Sequence, residues 1–231
     1  MFRRPRVAIV STGDELVDIY DQLQRGQIYD SNSHALAALV ESYGGTCIRL
    51  PIARDTVSDV RAAFLSALEH QPDIIISSAG VSVGAFDVVR TVINELGRVD
   101  FWKINVRPGK PLAYGRVGEV PYFGLPGNPV SAMVTFDLFV RPAICRLGGR
   151  SLDVPTMMAA TGEDIYSDGR RSYLRVYLVN IDGQYIAHLT GTQSSGALTS
   201  MVKADGLLIV PEDVKFVPAG TQLSVRKLRT S

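Results

Sequence analysis

Over the first 150 positions the apolar residues switch between two spacings. Near-continuous runs at "RVAIVST", "CIRLPIA", "DIIISSAG", "DFWKINV", "PLAYGRV" and "VPYFGLPG" predict buried strands. Between them, apolar residues recur every three or four positions. Leu36, Leu39, Val40 and Tyr43 mark one helix face, with Asn32 or Ser33 as its cap. Val60, Phe64, Leu65 and Leu68 mark a second; Val88, Val89, Val92, Ile93 and Leu96 mark a third. A fourth helix opens at "NPVSAM" and runs to about Leu147. Strand and helix in alternation predict a mostly parallel sheet with helices on both faces.

After Gly149 the helical spacing disappears. "SYLRVYLVNI", "QYIAHL", "GLLIVP" and "TQLSVRKL" are short strand candidates separated by Gly, Asp and Pro. The chain therefore divides into an α/β domain over 1–149 and a small all-β domain over 150–231, with "GGRS" as a hinge.

Composition narrows the setting. At 231 residues, 46% hydrophobic and 20% charged, the chain is long enough for real cores and reads as globular. Lys plus Arg number 24 against 23 Asp plus Glu, so bulk electrostatic attraction to nucleic acid or a membrane surface is not expected. Any anion site must be local. Two cysteines make no disulfide framework, and no apolar run is long enough to span a bilayer. The cytoplasm is the expected compartment.

Four loops directly after first-domain strands carry the candidate chemistry. "STGDEL" offers Thr12, Gly13 and Glu15, and "ARDT" offers Asp55. "SAGVSVGAFD" offers Ser78, Gly80, Ser82, Gly84 and Asp87. "LPGNPVS" offers Pro126, Gly127, Asn128, Pro129 and Ser131. Glycines let backbone N–H groups approach an anion closely. "KINVRPGKP" adds the cations Lys103, Arg107 and Lys110. Glu15, Asp55 and Asp87 supply carboxylates of the kind that hold Mg²⁺ beside phosphate oxygens. Taken singly, each loop reads as a tight strand-to-helix connection and each charge as a solvated one. Together they share the carboxyl ends of the strands, where such sheets bind ligands, and they suit a phosphorylated substrate. His34, His70 and His188 show no zinc spacing, and Trp102 reads as packing.

The stretches "STGDEL", "GQIYDSN", "SAGVSVGAFD", "FWKINVRPGKP" and "GLPGNPVSA", followed by "RRSYLRV" and "GTQSSGALTSM", run almost end to end in one order. In these the chain resembles the molybdopterin molybdenumtransferase family, which includes the C-terminal part of gephyrin. The resemblance implies a molybdopterin-binding-like three-layer α/β/α domain and then a small barrel-like β domain. It implies insertion of molybdate into adenylylated molybdopterin, with Mg²⁺-dependent release of AMP. Glu15, Asp55 and Asp87 match the family's functional acids, Asp87 as the principal metal ligand. Lys103 and Arg107 match basic positions near the pterin phosphates. Lys110, Ser131, Arg175 and Ser200 match an oxyanion pocket for molybdate, Ser195 lies in the same matching stretch, and Pro126 and Pro129 match shaping prolines.

The chain departs from the family at Ala79, where Gly is usual, at Ala85, where an acid is frequent, and at Arg107, where Lys is usual. Family members also carry about two further domains ahead of "RPRVAIVSTGDEL". The chain is therefore expected to be the C-terminal portion of a longer protein or a short homologue, and to turn over poorly alone. A homodimer is expected, with an adenylyltransferase as a possible partner. The competing readings are a molybdopterin adenylyltransferase-like enzyme, against which the all-β tail argues, and a non-catalytic gephyrin-like binding module.

Overall fold

The structure, a computed structural model, describes residues 2–79 and 83–228. The chain opens with strand β1 (Arg6–Thr12), followed by two short strands that pair with each other, β2 (Leu16–Val17) and β3 (Ile28–Tyr29). Then come α1 (Ser31–Ser42), β4 (Thr46–Arg49), α2 (Val57–Glu69), β5 (Ile74–Ala79), α3 (Val83–Leu96) and β6 (Gly97–Lys103). A two-residue strand, β7 (Val106–Arg107), precedes β8 (Pro111–Val117) and β9 (Val120–Leu125). Helix α4 (Pro129–Thr135) runs through a π-helical turn, Phe136–Val140, into α5 (Arg141–Leu147).

All of these elements except β7 form one unit around a six-stranded sheet ordered β4-β1-β5-β9-β8-β6. Strands β4, β1, β5 and β9 are parallel; β8 and β6 add as antiparallel strands. The two-residue period of the strands sends alternate side chains to two cores. Val7, Ile9, Ile74 and Ile76 face α1, α4 and α5; Ala8, Val10 and Ile75 face α2 and α3. That is the expected α/β/α layering.

Contacts divide the chain into this unit, residues 1–104 and 111–152, and a second, residues 105–110 and 153–231. The second contains β10 (Thr156–Thr161), β11 (Ile165–Tyr166), β12 (Arg171–Ile181), β13 (Gln184–Leu189), α6 (Leu198–Val202), β14 (Gly206–Val210), β15 (Phe216–Val217) and β16 (Gln222–Lys227). Its strands run β13-β10-β16-β14-β12, and β13 pairs with β12 as well as β10, so the sheet closes on itself as a small barrel. Val176, Leu208, Val210 and Val225 fill its core at 0% exposure.

Local differences from the sequence pattern have physical causes. The run expected as one strand at 47–53 ends at Arg49, ahead of Pro51, and returns only as a single bridge between Ala53 and Thr12. The run at 100–106 is split: β6 pairs with β8 through two register shifts, whereas Val106 and Arg107 pair with Arg171 and Ser172 of β12. Residues 105–110 thus belong by contact with the second unit, although the pattern assigns all of 1–149 to the first.

Candidate functional site

The site is built at the carboxyl ends of β1, β5 and β9. Strand β1 ends at Thr12, which is fully buried. The chain then turns at Gly13, whose N–H donates to the Ala53 carbonyl (3.1 Å). A Cβ on Gly13 would lie 2.8 Å from Glu15 Oε2 and 2.9 Å from Leu16 Cγ, so a side chain there would have to displace both neighbours. The Asp55 N–H donates to Asp14 Oδ1 (3.2 Å), which ties the second loop to the first. The Asp55 carboxyl is pushed above its ordinary range, first by burial and then by the negative charges of Asp14 and Glu15. Carboxylates crowded in this way favour a cation.

A cavity of about 250 Å³ joins these loops to the rest. Glu15, Ser78, Gly127, Asn128 and Pro129 line it, together with Asn32 and the 28–31 segment. Three of the four predicted loops therefore meet around one space. Asn32 joins two of them: its Nδ2 donates to Ser78 Oγ (2.8 Å) and to the Gly127 carbonyl (2.7 Å). Asn128 occupies the N-cap position of α4 without a side-chain capping bond, and Pro129 fills the first helical position. Pro126 and Ser131 are buried beside them. A larger cavity of about 700 Å³, lined by Asp14, Asp18, Asp21, Arg49 and Arg54 among others, shares Leu16 and Asp30 with the smaller one.

Other predicted residues are not gathered there. Asp87 is exposed on α3 and Lys103 is exposed at the end of β6; among the described residues neither lines either cavity. Gly84 lies in the first turn of α3. Gly80 and Ser82 lie outside the described residues. Among the described residues no three His, Cys, Asp or Glu side chains are arranged to hold a metal ion, so Asp87, Asp55 and Glu15 do not form a preassembled three-carboxylate centre.

In the second unit the outstanding group is Arg175, on β12 and 1% exposed. Its Nε donates to Ser200 Oγ (3.1 Å) and its Nη2 to the Ser194 carbonyl (3.0 Å). Among the described residues it has no carboxylate partner; Asp164 instead accepts from the Ala219 N–H. Burial first, and the neighbouring Arg107 charge second, lower the Arg175 pKa to about 10. A buried cation without a counter-charge is suited to an anion. Gln193, which carried no signal in the sequence, fastens the 191–196 loop to β12: its Oε1 accepts from the Arg175 N–H (2.9 Å) and its Nε2 donates to the Arg175 carbonyl (3.1 Å). Ser200 is buried in α6, and Ser195 is half-buried. Arg107 lies 3.6 Å from Asp168, whose carboxyl is held at about 2, chiefly by its hydrogen bonds with Arg170. Lys110 is exposed.

Comparison with known proteins gives this arrangement its context. Residues 8–146 match the family model described as a probable molybdopterin binding domain. The chain belongs to that family. Residues 159–228 of this molybdopterin-binding family member also match the model described as the MoeA C-terminal region, domain IV. It is 39% identical over 236 residues to a molybdopterin molybdenumtransferase of Nostoc sp., covering 99% of this chain and 54% of that protein. It is 37% identical to the molybdopterin molybdenumtransferase of Haemophilus influenzae, covering 97% and 56%. Gephyrin of Dictyostelium discoideum is 32% identical, over 95% of this chain and 36% of gephyrin. A crystal structure of a molybdopterin biosynthesis MoeA protein from Pyrococcus horikosii superposes with a TM-score of 0.85 at 34% identity, over 99% of this chain and 55% of that one. The chain thus spans about half the length of the molybdenumtransferases it matches.

Proposed function

We propose that this chain acts in molybdenum cofactor biosynthesis, inserting molybdate into adenylylated molybdopterin with release of AMP. The observation that carries the reading is the meeting of Glu15, Ser78 and the Gly127–Pro129 loop around one small cavity at the carboxyl ends of parallel strands, in a member of the molybdopterin-binding family. Hydroxyl and backbone groups there receive the pterin and its phosphates. Thr12, Gly80, Ser82, Gly84 and Pro126 belong to the same loops, and Lys103 and Arg107 supply cations for the phosphates. Arg175 and Ser200 receive the tetrahedral molybdate dianion; Lys110, Ser131 and Ser195 are further substrate-contacting residues.

The acids fit Mg²⁺. Burial first, and the charges of Asp14 and Glu15 second, raise the Asp55 carboxyl, and a cation would offset both; Mg²⁺ typically takes one or two carboxylates and completes its shell with phosphate oxygens and water, so a three-carboxylate cluster is not required. Asp55 and Glu15, whose charges already act on one another, would hold it, with Asp87 as a further candidate outside that pair, and it would neutralise charge on the phosphate oxygens as AMP departs. The substrate is already adenylylated, so an adenylyltransferase supplies it. We place the protein in the cytoplasm as a homodimer; no helix among the described residues is long and apolar enough to cross a membrane.

The test supplies adenylylated molybdopterin, molybdate and Mg²⁺ and follows AMP by chromatography. AMP release that requires both molybdate and Mg²⁺ is expected. A protein that neither binds the nucleotide nor releases AMP would overturn the reading.

A further inference from the structure

Asn32 has no role in the function just proposed, yet it sits where two of the loops meet. Its sequence neighbourhood suggests a helix cap, but that work is done by Asp30, whose side chain accepts from the Ser33 N–H (3.0 Å). The Asn32 amide is therefore free for another purpose. Nδ2 uses one hydrogen on Ser78 Oγ and the other on the Gly127 carbonyl. A carbonyl only accepts, so Gly127 fixes which way the amide points. Oδ1 must then face away, and it is buried without a donor among the described residues. A buried acceptor left unmatched costs about 1–3 kcal/mol. The protein tolerates that cost in order to keep a two-hydrogen donor at this spot, a pattern that calls for a reason beyond stability.

The consequence falls on Ser78, which is 4% exposed and lines the cavity. Its oxygen receives the Asn32 N–H, and among the described residues its own hydrogen has no acceptor. A serine oxygen that already accepts is directed to donate elsewhere. We propose that Asn32 is a positioning residue for ligand binding: it ties the end of β5 to the Gly127 loop and turns the Ser78 hydroxyl to donate to an acceptor oxygen of the bound ligand. This rests on the reading that the cavity receives the pterin nucleotide.

Two measurements separate the brace from the functional reading. Without ligand, hydrogen exchange in peptides covering 74–79 and 125–130 is compared between wild type and Asn32→Asp. The carboxylate has nearly the amide's shape but cannot donate, so exchange should accelerate in both segments together while β1 and β4 are unchanged. With adenylylated molybdopterin as probe, calorimetry then compares wild type, Asn32→Asp, Asn32→Ala, Ser78→Ala and the Asn32→Ala/Ser78→Ala double variant. Each single change should weaken binding on the order of tenfold, the loss of one good hydrogen bond. The double variant should lose clearly less than the product of the two, because Asn32 acts partly through Ser78. Multiplicative losses, or an Asn32→Asp variant that binds like wild type, overturn the proposal. Unchanged exchange in either segment overturns the brace even where wild-type binding is intact. Absence of wild-type binding overturns the functional reading, and the ligand half of this proposal with it, while the exchange result still decides the brace.

Discussion

Arg175 shows how much a single buried charge can specify. Its guanidinium is held by Ser200 Oγ and the Ser194 carbonyl, neither of which neutralises it. Truncation to Ala removes a buried charge that has no carboxylate to abandon, so stability should change little compared with loss of a buried ion pair. Molybdate affinity should fall by about tenfold or more, since a charge-assisted hydrogen bond contributes about 1.5–3 kcal/mol. Arg175→Lys should recover little of it, because an ammonium cannot reproduce the planar fork. Molybdate calorimetry on the three proteins decides this; equal affinities would remove Arg175 from the site. Cys47 makes a different residue-scale prediction. Its thiol is pushed up to about 11 by burial first and by Glu41 second, with Arg49 opposing. Only the thiolate reacts, and at pH 8 about one thiol in a thousand is ionised at such a pKa. Labelling of Cys47 by iodoacetamide should be slow at pH 8 and rise roughly tenfold per unit up to pH 10. A rate that is flat across that range would contradict the assignment.

At the scale of elements, the start of α1 sets the candidate site. Asp30 is 4% exposed, caps the helix and fixes the turn that carries Asn32. Asp30→Ala should cost about 1 kcal/mol of stability and weaken nucleotide binding as well, because the first turn loosens. Asp30→Asn, which keeps a capping oxygen, should restore both. Thermal unfolding and calorimetry on the two variants test the pairing; a loss of stability with unaltered binding would separate the cap from the site. The sequence pattern allows several caps here, because Asp30, Ser31, Asn32 and Ser33 are all capping types in a row and only the path of the chain chooses among them. Strands β1, β5, β8 and β9 were legible because both faces of the sheet are covered and their apolar runs are nearly unbroken. Strand β10, "TMMAAT", was not: it has no β-branched core and no clean alternation. Pairing of Val106 and Arg107 with β12 is a contact across 65 residues of chain (171 − 106 = 65), which no local window contains. The same limit divides the site. Glycine loops and their order were readable, so Glu15, Ser78 and Gly127–Pro129 were expected near one another. Asn32 was read only as a helix cap and Gln193 was given no role of its own, because a polar residue has no period that marks its tertiary hydrogen bonds.

For the whole molecule, the hydrophobic cores determine what fails together. One unit holds two cores, one on each face of its sheet, and the other holds the barrel core. Leu208 sits in that barrel at 0% exposure, on β14, which pairs with β12 on one side and β16 on the other. Leu208→Ala removes buried methyl groups and leaves a cavity, which costs about 2–5 kcal/mol. Its neighbours Val210, Val176 and Val225 are fully buried β-branched side chains, stiff about their first torsion and slow to fill the gap. The loss should therefore lie toward the upper part of that range. Native-state hydrogen exchange reads where it is felt. In the variant, amides of β10, β12, β14 and β16 should exchange faster, by a factor that matches the loss of stability. Amides of β1 and β5, whose side chains belong to the other unit's cores, should keep their protection. Equal acceleration in β1 and β5 would show that the cores open in one cooperative step, and the division drawn from contacts would then have no thermodynamic counterpart.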